Sequence, residues 1–314
     1  MDWVISLPDR LDVFLSRAAN LPSRGKAQEA IEAGRVTVNG NVVTKSACRL
    51  QEGDQVTLAD AEDEDGESTE YSITSIPVTF DILWEDDDCF VIDKPAGIAV
   101  HPGAGMPPGE ATVLHGIAAL FETRKIPFSA SSILVHRLDR ETTGCLLIAK
   151  TPAAHVELQR QFAARTVQKQ YLAIVAGVPS PAIAVIDAPI GRSLTERTKM
   201  GVERIGKSRE ARTTYKTLGA GAQSALLVCD LHTGRTHQVR VHLHAIGHPI
   251  LGDGTYATIL SERVTEELAV RSLCLHAWTL TFDPPSGAMR VTVTAPLPAS
   301  FRQVLRSAGI SEPS

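Results

Sequence analysis

The stretch His136–Thr151, HRLDRETTGCLLIAKT, sets a charged turn against an apolar run. Its second half, GCLLIAKT (144–151), predicts a short buried strand, and SILVH (132–136) predicts another on the other side of the turn. Between them Asp139 stands flanked by Arg137 and Arg140, and Thr142-Thr143-Gly144 predicts a tight turn. A carboxylate on a turn at a strand end is either poised for chemistry or half of a structural Arg–Asp pair. The residues alone leave both readings open.

Working outward, the chain from about Ser75 onward is patterned as mixed α and β. FDILWEDDDCFVIDKPAG (80–97) has two apolar halves around Glu85–Asp88 and predicts a hairpin that Pro95-Ala96-Gly97 stops. ATVLHGIAALFET (111–123) predicts a helix, as does AAHVELQRQFAAR (153–165), with Val156, Gln159, Phe162 and Ala163 on one face. KQYLAIVAGV (169–178) and SALLVCDLHTG (224–234) predict buried strands. RTHQVRVHLHAIG (235–247) alternates at Val239, Val241, Leu243 and Ala245 like a strand, but Thr236 before it and Gly247-His248-Pro249 after it are helix-cap chemistry. The caps decide for a helix. No repeat of 20–50 residues is present, which excludes solenoids and propellers.

Composition bounds the answer. The chain has 314 residues, enough for about two domains. Hydrophobic residues make up 43% and charged ones 21%, so a sizeable core is expected rather than disorder. Five scattered cysteines (48, 89, 145, 229, 274) form no C-x-x-C pair, which disfavours a disulfide framework or a thiolate zinc site and fits a reducing, cytoplasmic setting. No apolar run approaches the ~18 residues a membrane helix needs. Asp2, Asp9, Arg10 and Asp12 near the start do not have the form of a secretory signal.

The formal charge of −5 is unevenly placed. Asp60–Glu70 holds seven acids and no base, and removing them turns −5 into +2. With almost nothing apolar to bury, residues 60–74 are expected to be a solvated acidic linker. Arg17–Arg49 carries +4 and Arg192–Lys216 carries +5. Such local patches suit a phosphate backbone, though each also fits an ordinary solvated face.

Two motifs mislead. GVERIGKS (201–208) matches a phosphate-cradling loop, but the segment before it is polar and the segment after it is β-like, where a true loop needs a buried strand and then a helix. His232, His237, His242, His244 and His248 cluster in sequence, yet no H-E-x-x-H accompanies them, and on a helix His242 and His244 diverge. No metal and no cofactor are expected.

Residues 9–59 predict a small α/β module. Leu11, Phe14, Leu15 and Ala18 have helical spacing, Ala27, Ala30 and Ile31 mark a second helix, and Asn39-Gly40 between valines is a hairpin turn. RLDVFLSRAA, LPSRGKAQEAIEAGRVTVNG and LQEGDQVTL resemble the S-four-like RNA-binding domain. That resemblance implies RNA contact through Arg24, Lys26 and Arg35, and Arg17 and Lys207 of the two basic stretches are expected to join them.

Across the larger part, DKPAGIAVHP, HRLDRETTG, KQYLAIV, LHTGRTHQVRVHLHAIGHPILGD and SLCLHA occur in this order. Together they resemble the RluA-type family of pseudouridine synthases, over about residues 76–297, with Thr143 where that family commonly has serine. The resemblance implies an α+β fold: a central mixed, mainly antiparallel sheet flanked by helices, spanning residues 75–314, behind the N-terminal module. It implies an isomerase that detaches a uracil, turns it and rejoins it through C5, with large-subunit ribosomal RNA favoured over transfer RNA as the target. A cytoplasmic monomer is expected. Asp139 is expected to be the nucleophile or base, Arg235 its ion-pair partner and Tyr171 the aromatic that stacks on the base. Arg137, Arg140 and Leu275 are expected to bind substrate. The competing expectation is a non-catalytic RNA-binding or ribosome-assembly factor on the same fold.

Overall fold

The computed structural model describes residues 2–5, 8–18, 24–32, 36–58, 73–103, 106–107, 109–193, 199–202 and 208–313. Two compact units divide the chain, Met1–Thr69 and Glu70–Ser314. Most of the acidic stretch 60–74 lies outside the described residues. Among the described residues no helix is long and apolar enough to cross a membrane.

The first unit contains β1 (Asp2–Val4), β2 (Asp9–Arg10), α1 (Leu11–Ala18), α2 (Arg24–Glu32), β3 (Val36–Val38), β4 (Asn41–Val42), β5 (Arg49–Leu50) and β6 (Gln55–Leu58). Leu11 and Leu15 of α1 meet Ala27, Ala30 and Ile31 of α2, with Val36, Val56 and Leu58 beneath. The predicted hairpin joins β3 to β4. Asn39 and Gly40 both take positive φ, 52° and 77°, which the tight turn requires and glycine and asparagine tolerate. This unit reaches further back than residue 9: β1 pairs with the edge of β6, and Ile5 is buried in the core.

The second unit holds β7 (Asp81–Glu85), β8 (Cys89–Lys94), α3 (Val113–Arg124), β9 (Thr143–Ala149), α4 (Pro152–Ala163), β10 (Gln168–Ala176) and β11 (Ile183–Asp187). It continues through β12 (Gly191–Arg192), β13 (Met200–Gly201), β14 (Arg212–Ala220), β15 (Ser224–Leu231), α5 (Gln238–Ala245), α6 (Ile259–Glu267), β16 (Leu275–Phe282), β17 (Val291–Thr294) and α7 (Ala299–Ser307). A nine-stranded sheet runs β11-β14-β15-β10-β16-β9-β8-β7, with β17 on β16. Every join is antiparallel except β16 with β9, so the sheet is mixed and mainly antiparallel. On β8 and β9 the side chains alternate between two cores. Phe90, Ile92, Leu146 and Ile148 enter one, and Cys89, Val91, Cys145 and Leu147 the other. Both faces of these strands are covered, which is why they read as unbroken apolar runs.

Four local expectations change. SILVH is not a strand. It makes one bridge, Leu134 to Ile148, and the Leu147 N–H beyond it is taken by the His136 ring (2.9 Å), so the ladder stops there. The turn at Asp139 comes earlier than Thr142–Gly144: the Thr142 N–H closes onto the Asp139 carbonyl (3.1 Å), and Thr143 already starts β9. On α4 the buried residues are Ala154, His155, Leu158 and Gln161, while Val156 is 67% exposed. Gln161 is inside because its amide pairs with both backbone groups of Asp283 (2.7 and 3.1 Å). Segment 235–247 is indeed helical, but its cap residue is His237 in the left-handed region (φ 57°), one residue past Thr236.

Candidate active site

A cavity of about 460 Å³ opens where the Asp139 turn, the start of β10 and the N-terminal end of α5 converge. Asp139 is brought there by a loop that is tied on both sides. Buried Lys94, at the end of β8, donates to three backbone carbonyls, those of Pro95 (2.7 Å), Ile98 (2.9 Å) and Arg140 (2.9 Å). The Gly97 N–H bonds the same Arg140 carbonyl (3.0 Å). Burial lowers the Lys94 pKa to about 8, so at neutral pH it is still a cation with three donors for three acceptors. On the other side Gly144 takes φ 106° and lies so close to β16 that an added Cβ would collide with the Ala277 carbonyl.

The Asp139 carboxylate is 19% exposed. Its Oδ2 accepts from Arg240 Nη1 (3.2 Å), and Oδ1 has no hydrogen-bond partner among the described residues. Arg240 also forms a bidentate pair with buried Asp253, Nε and Nη2 to the two carboxylate oxygens at 2.8 Å each. Burial opposes the Arg240 charge, but Asp253 and Asp139 outweigh it and raise its pKa, so it is a permanent cation. His237 Nε2 lies 3.9 Å from Asp139 Oδ2. Burial holds its pKa below the usual histidine value, against the pull of Asp139.

Tyr171 lines the cavity from β10, and Leu275 from the start of β16. Both are almost fully buried. Burial first, then the Asp139 charge, raises the Tyr171 pKa, so the phenol stays protonated. Arg137, Arg165 and Lys169 give the same cavity a cationic lining. A buried-walled pocket with an arginine-paired carboxylate, an aromatic ring and surrounding cations suits a flat, neutral base attached to a polyanion.

Comparison with known proteins decides which. Residues 88–245 match the model for RNA pseudouridylate synthase, and residues 9–56 match the S4 domain. The chain belongs to the RNA pseudouridylate synthase family. It is 38% identical over 310 residues to a ribosomal large subunit pseudouridine synthase D of Nitrosomonas europaea, covering 96% of this chain and 87% of that one. It is 36% identical to the uncharacterised RNA pseudouridine synthase YlyB of Bacillus subtilis, covering 95% and 94%. Among solved structures it resembles human RNA pseudouridylate synthase domain containing 4, with TM-score 0.61 and 28% identity over 74% of this chain and 94% of that one. The synthase is therefore an isomerase acting on RNA, with the α+β fold of that family.

Of the expected site residues, Asp139, Tyr171, Arg137 and Leu275 line one cavity. Arg235 also lines it but does not pair with Asp139. Its Nε donates to the Glu210 carbonyl (3.0 Å), and Arg240 makes the expected contact instead. The physical reason is the start of α5. Gln238 folds back onto the Arg235 N–H (3.0 Å) and the Thr233 hydroxyl (2.7 Å), which leaves Arg235 on the turn before the helix. Arg240, one turn inside, points inward. Arg140 turns away to Glu110 (2.6 Å) and does not line the cavity. His242 is satisfied by the Thr213 hydroxyl (2.9 Å) and the Ala188 carbonyl (3.0 Å), and His244 by the Tyr256 carbonyl (2.8 Å). In the S4 unit Arg17 is exposed and pairs with Asp9 (2.7 Å). Arg24 and Lys26 lie on α2, but the placement of their side chains, and of Arg35 and Lys207 altogether, is outside the described residues. Arg240 had a signal in the sequence: on the helix that the caps predict, an arginine between Val239 and Val241 adjoins the apolar face and needs a carboxylate partner there.

Proposed function

We propose that this synthase converts specific uridines of large-subunit ribosomal RNA to pseudouridine, with Asp139 as the reacting carboxylate. The observation that carries the catalytic part is the Asp139–Arg240 pair in a cavity walled by Tyr171 and Leu275. The ribosomal target is supported by the names of relatives such as the Nitrosomonas europaea enzyme.

The target base leaves its stack, at a cost on the order of a few kcal/mol, which favours loops and unpaired positions. Leu275 then lies against it and Tyr171 stacks on it. Arg240 orients Asp139 by donating to Oδ2, which places a fixed cation beside the carboxylate. One carboxylate oxygen stays on the guanidinium, and the other is left to act on the nucleotide as nucleophile or base. Arg137 and the S4 unit hold the phosphate backbone. The synthase works in the cytoplasm as a monomer, and light scattering of the purified chain checks the oligomeric state.

Asp139→Asn should abolish pseudouridine formation and leave RNA affinity within about threefold of wild type. Release of tritium from uridine labelled at C5 measures the first, and anisotropy with labelled RNA the second. Full activity in that variant would sink the assignment. No tritium release from the wild-type chain on any ribosomal RNA would favour the non-catalytic RNA-binding reading.

A further inference from the structure

We infer that Tyr256 fixes His237 in the Nε2–H tautomer, and that this N–H is a neutral hydrogen-bond donor to an oxygen of the target nucleotide beside Asp139. The inference rests on the pseudouridine synthase reading of the cavity. It begins from a backbone feature. His237 is a non-glycine residue at φ 57°, a conformation that β-carbon sterics disfavour and that persists where the surroundings over-determine it. Here it aims the ring into the cavity, with Nε2 3.9 Å from Asp139 Oδ2, beyond hydrogen-bond reach.

The other ring nitrogen, Nδ1, lies 2.9 Å from the Tyr256 hydroxyl oxygen. That oxygen also accepts the Met200 N–H (3.1 Å). A phenol has one proton to give. The Met200 N–H takes the acceptor side of the oxygen, and Nδ1 is the one acceptor for the hydroxyl proton among the described residues, so that proton goes to His237 Nδ1. Nδ1 thus accepts, and the single proton of the neutral imidazole sits on Nε2, facing the cavity. A neutral ring is favoured because burial and the Arg240 and Arg137 charges oppose protonation, against Asp139 and Asp253.

Tyr256 is therefore a positioning residue. Its ring also packs edge-on against His237 and lies under the Arg240 guanidinium, 5.1 Å from the centroid. Met200 belongs to β13 in the basic stretch Arg192–Lys216, so the backbone of that stretch is one hydrogen bond from the tyrosine that sets the tautomer.

The test separates the hydroxyl from the ring. In 15N NMR of the free protein, with His237→Asn assigning the signal by difference, the wild-type His237 should show an unprotonated Nδ1 and a protonated Nε2. Tyr256→Phe keeps both ring contacts and should lose that preference. A proton on Nδ1 in the wild type overturns the inference, and so does an unchanged pattern in Tyr256→Phe. In single-turnover kinetics Tyr256→Phe should lower kcat/KM about tenfold. The double variant with His237→Asn should be no worse than His237→Asn alone, because the tyrosine acts through the histidine. Penalties that multiply would refute the relay. Wild-type pseudouridine formation on the same RNA reports the underlying function separately, and the ring nitrogens are read with no RNA present.

Discussion

Arg240 carries one charge that two carboxylates share, Asp253 at 2.8 Å and Asp139 at 3.2 Å. A lysine cannot span both, because its ammonium has no planar fork. Arg240→Lys should therefore cut kcat at least about 100-fold. Arg235, whose guanidinium reaches a backbone carbonyl and no carboxylate among the described residues, should on replacement by alanine cost less than about tenfold and mainly in KM. Equal losses in single-turnover assays would contradict this division of roles. Lys94 gives a second residue-scale prediction. Its pKa falls from 10.5 to about 8 on folding, so between those values the unfolded chain holds a proton that the folded chain sheds. Stability tied to this group accordingly rises as pH climbs from 8 to 10.5. In urea titrations the stability advantage of wild type over Lys94→Met should widen across that range, and a constant difference would argue against a depressed lysine.

At the scale of elements, β9 delivers Asp139 because its first residues are clamped between β8 and β16. The clamp depends on Gly144, whose missing side chain lets the strands approach and whose φ of 106° few other residues adopt. Gly144→Ala should destabilise the synthase by about 3 kcal/mol or more and lower activity further by displacing the Asp139 turn. The urea midpoint measures the first, and turnover under conditions where the variant is folded measures the second. The helices differ in how legible they were. Thr236 and Gly247-His248-Pro249 announced α5 against an apolar alternation that reads as a strand, but the cap shifted by one residue because His237, unlike a threonine, is held in the left-handed region by tertiary contacts. The buried face of α4 was misread because Gln161 is polar in sequence and inside in space, where Asp283 satisfies it.

For the whole molecule, the formal charge of −5 is a poor guide to its partner. Like-signed groups act locally, within a Debye length of about 8–10 Å at physiological salt. RNA affinity should thus fall steeply with salt despite the net negative charge. Replacing both Arg24 and Lys26 by glutamine should reduce the slope of log K against log salt by roughly 1–2. Anisotropy across a potassium chloride series checks this, and an unchanged slope would remove α2 from the RNA contact.

The sequence by itself determined the class of fold, the S4-like module and the family, and it singled out Asp139, Tyr171 and Leu275, which line one cavity. Periodicity, turn chemistry and ordered motifs are local properties, so they survive being read in one dimension. Only the tertiary structure decided which arginine meets Asp139, that Arg140 belongs to Glu110, and that Asp253, Tyr256 and His237 join the site. Those choices depend on where α5 starts and which way its first turn faces. Asp139 and Arg240 are 101 residues apart in the chain and 3.2 Å apart in space. A pairing over such a span is set by how a sheet and a helix pack, and spacing along the chain does not encode it.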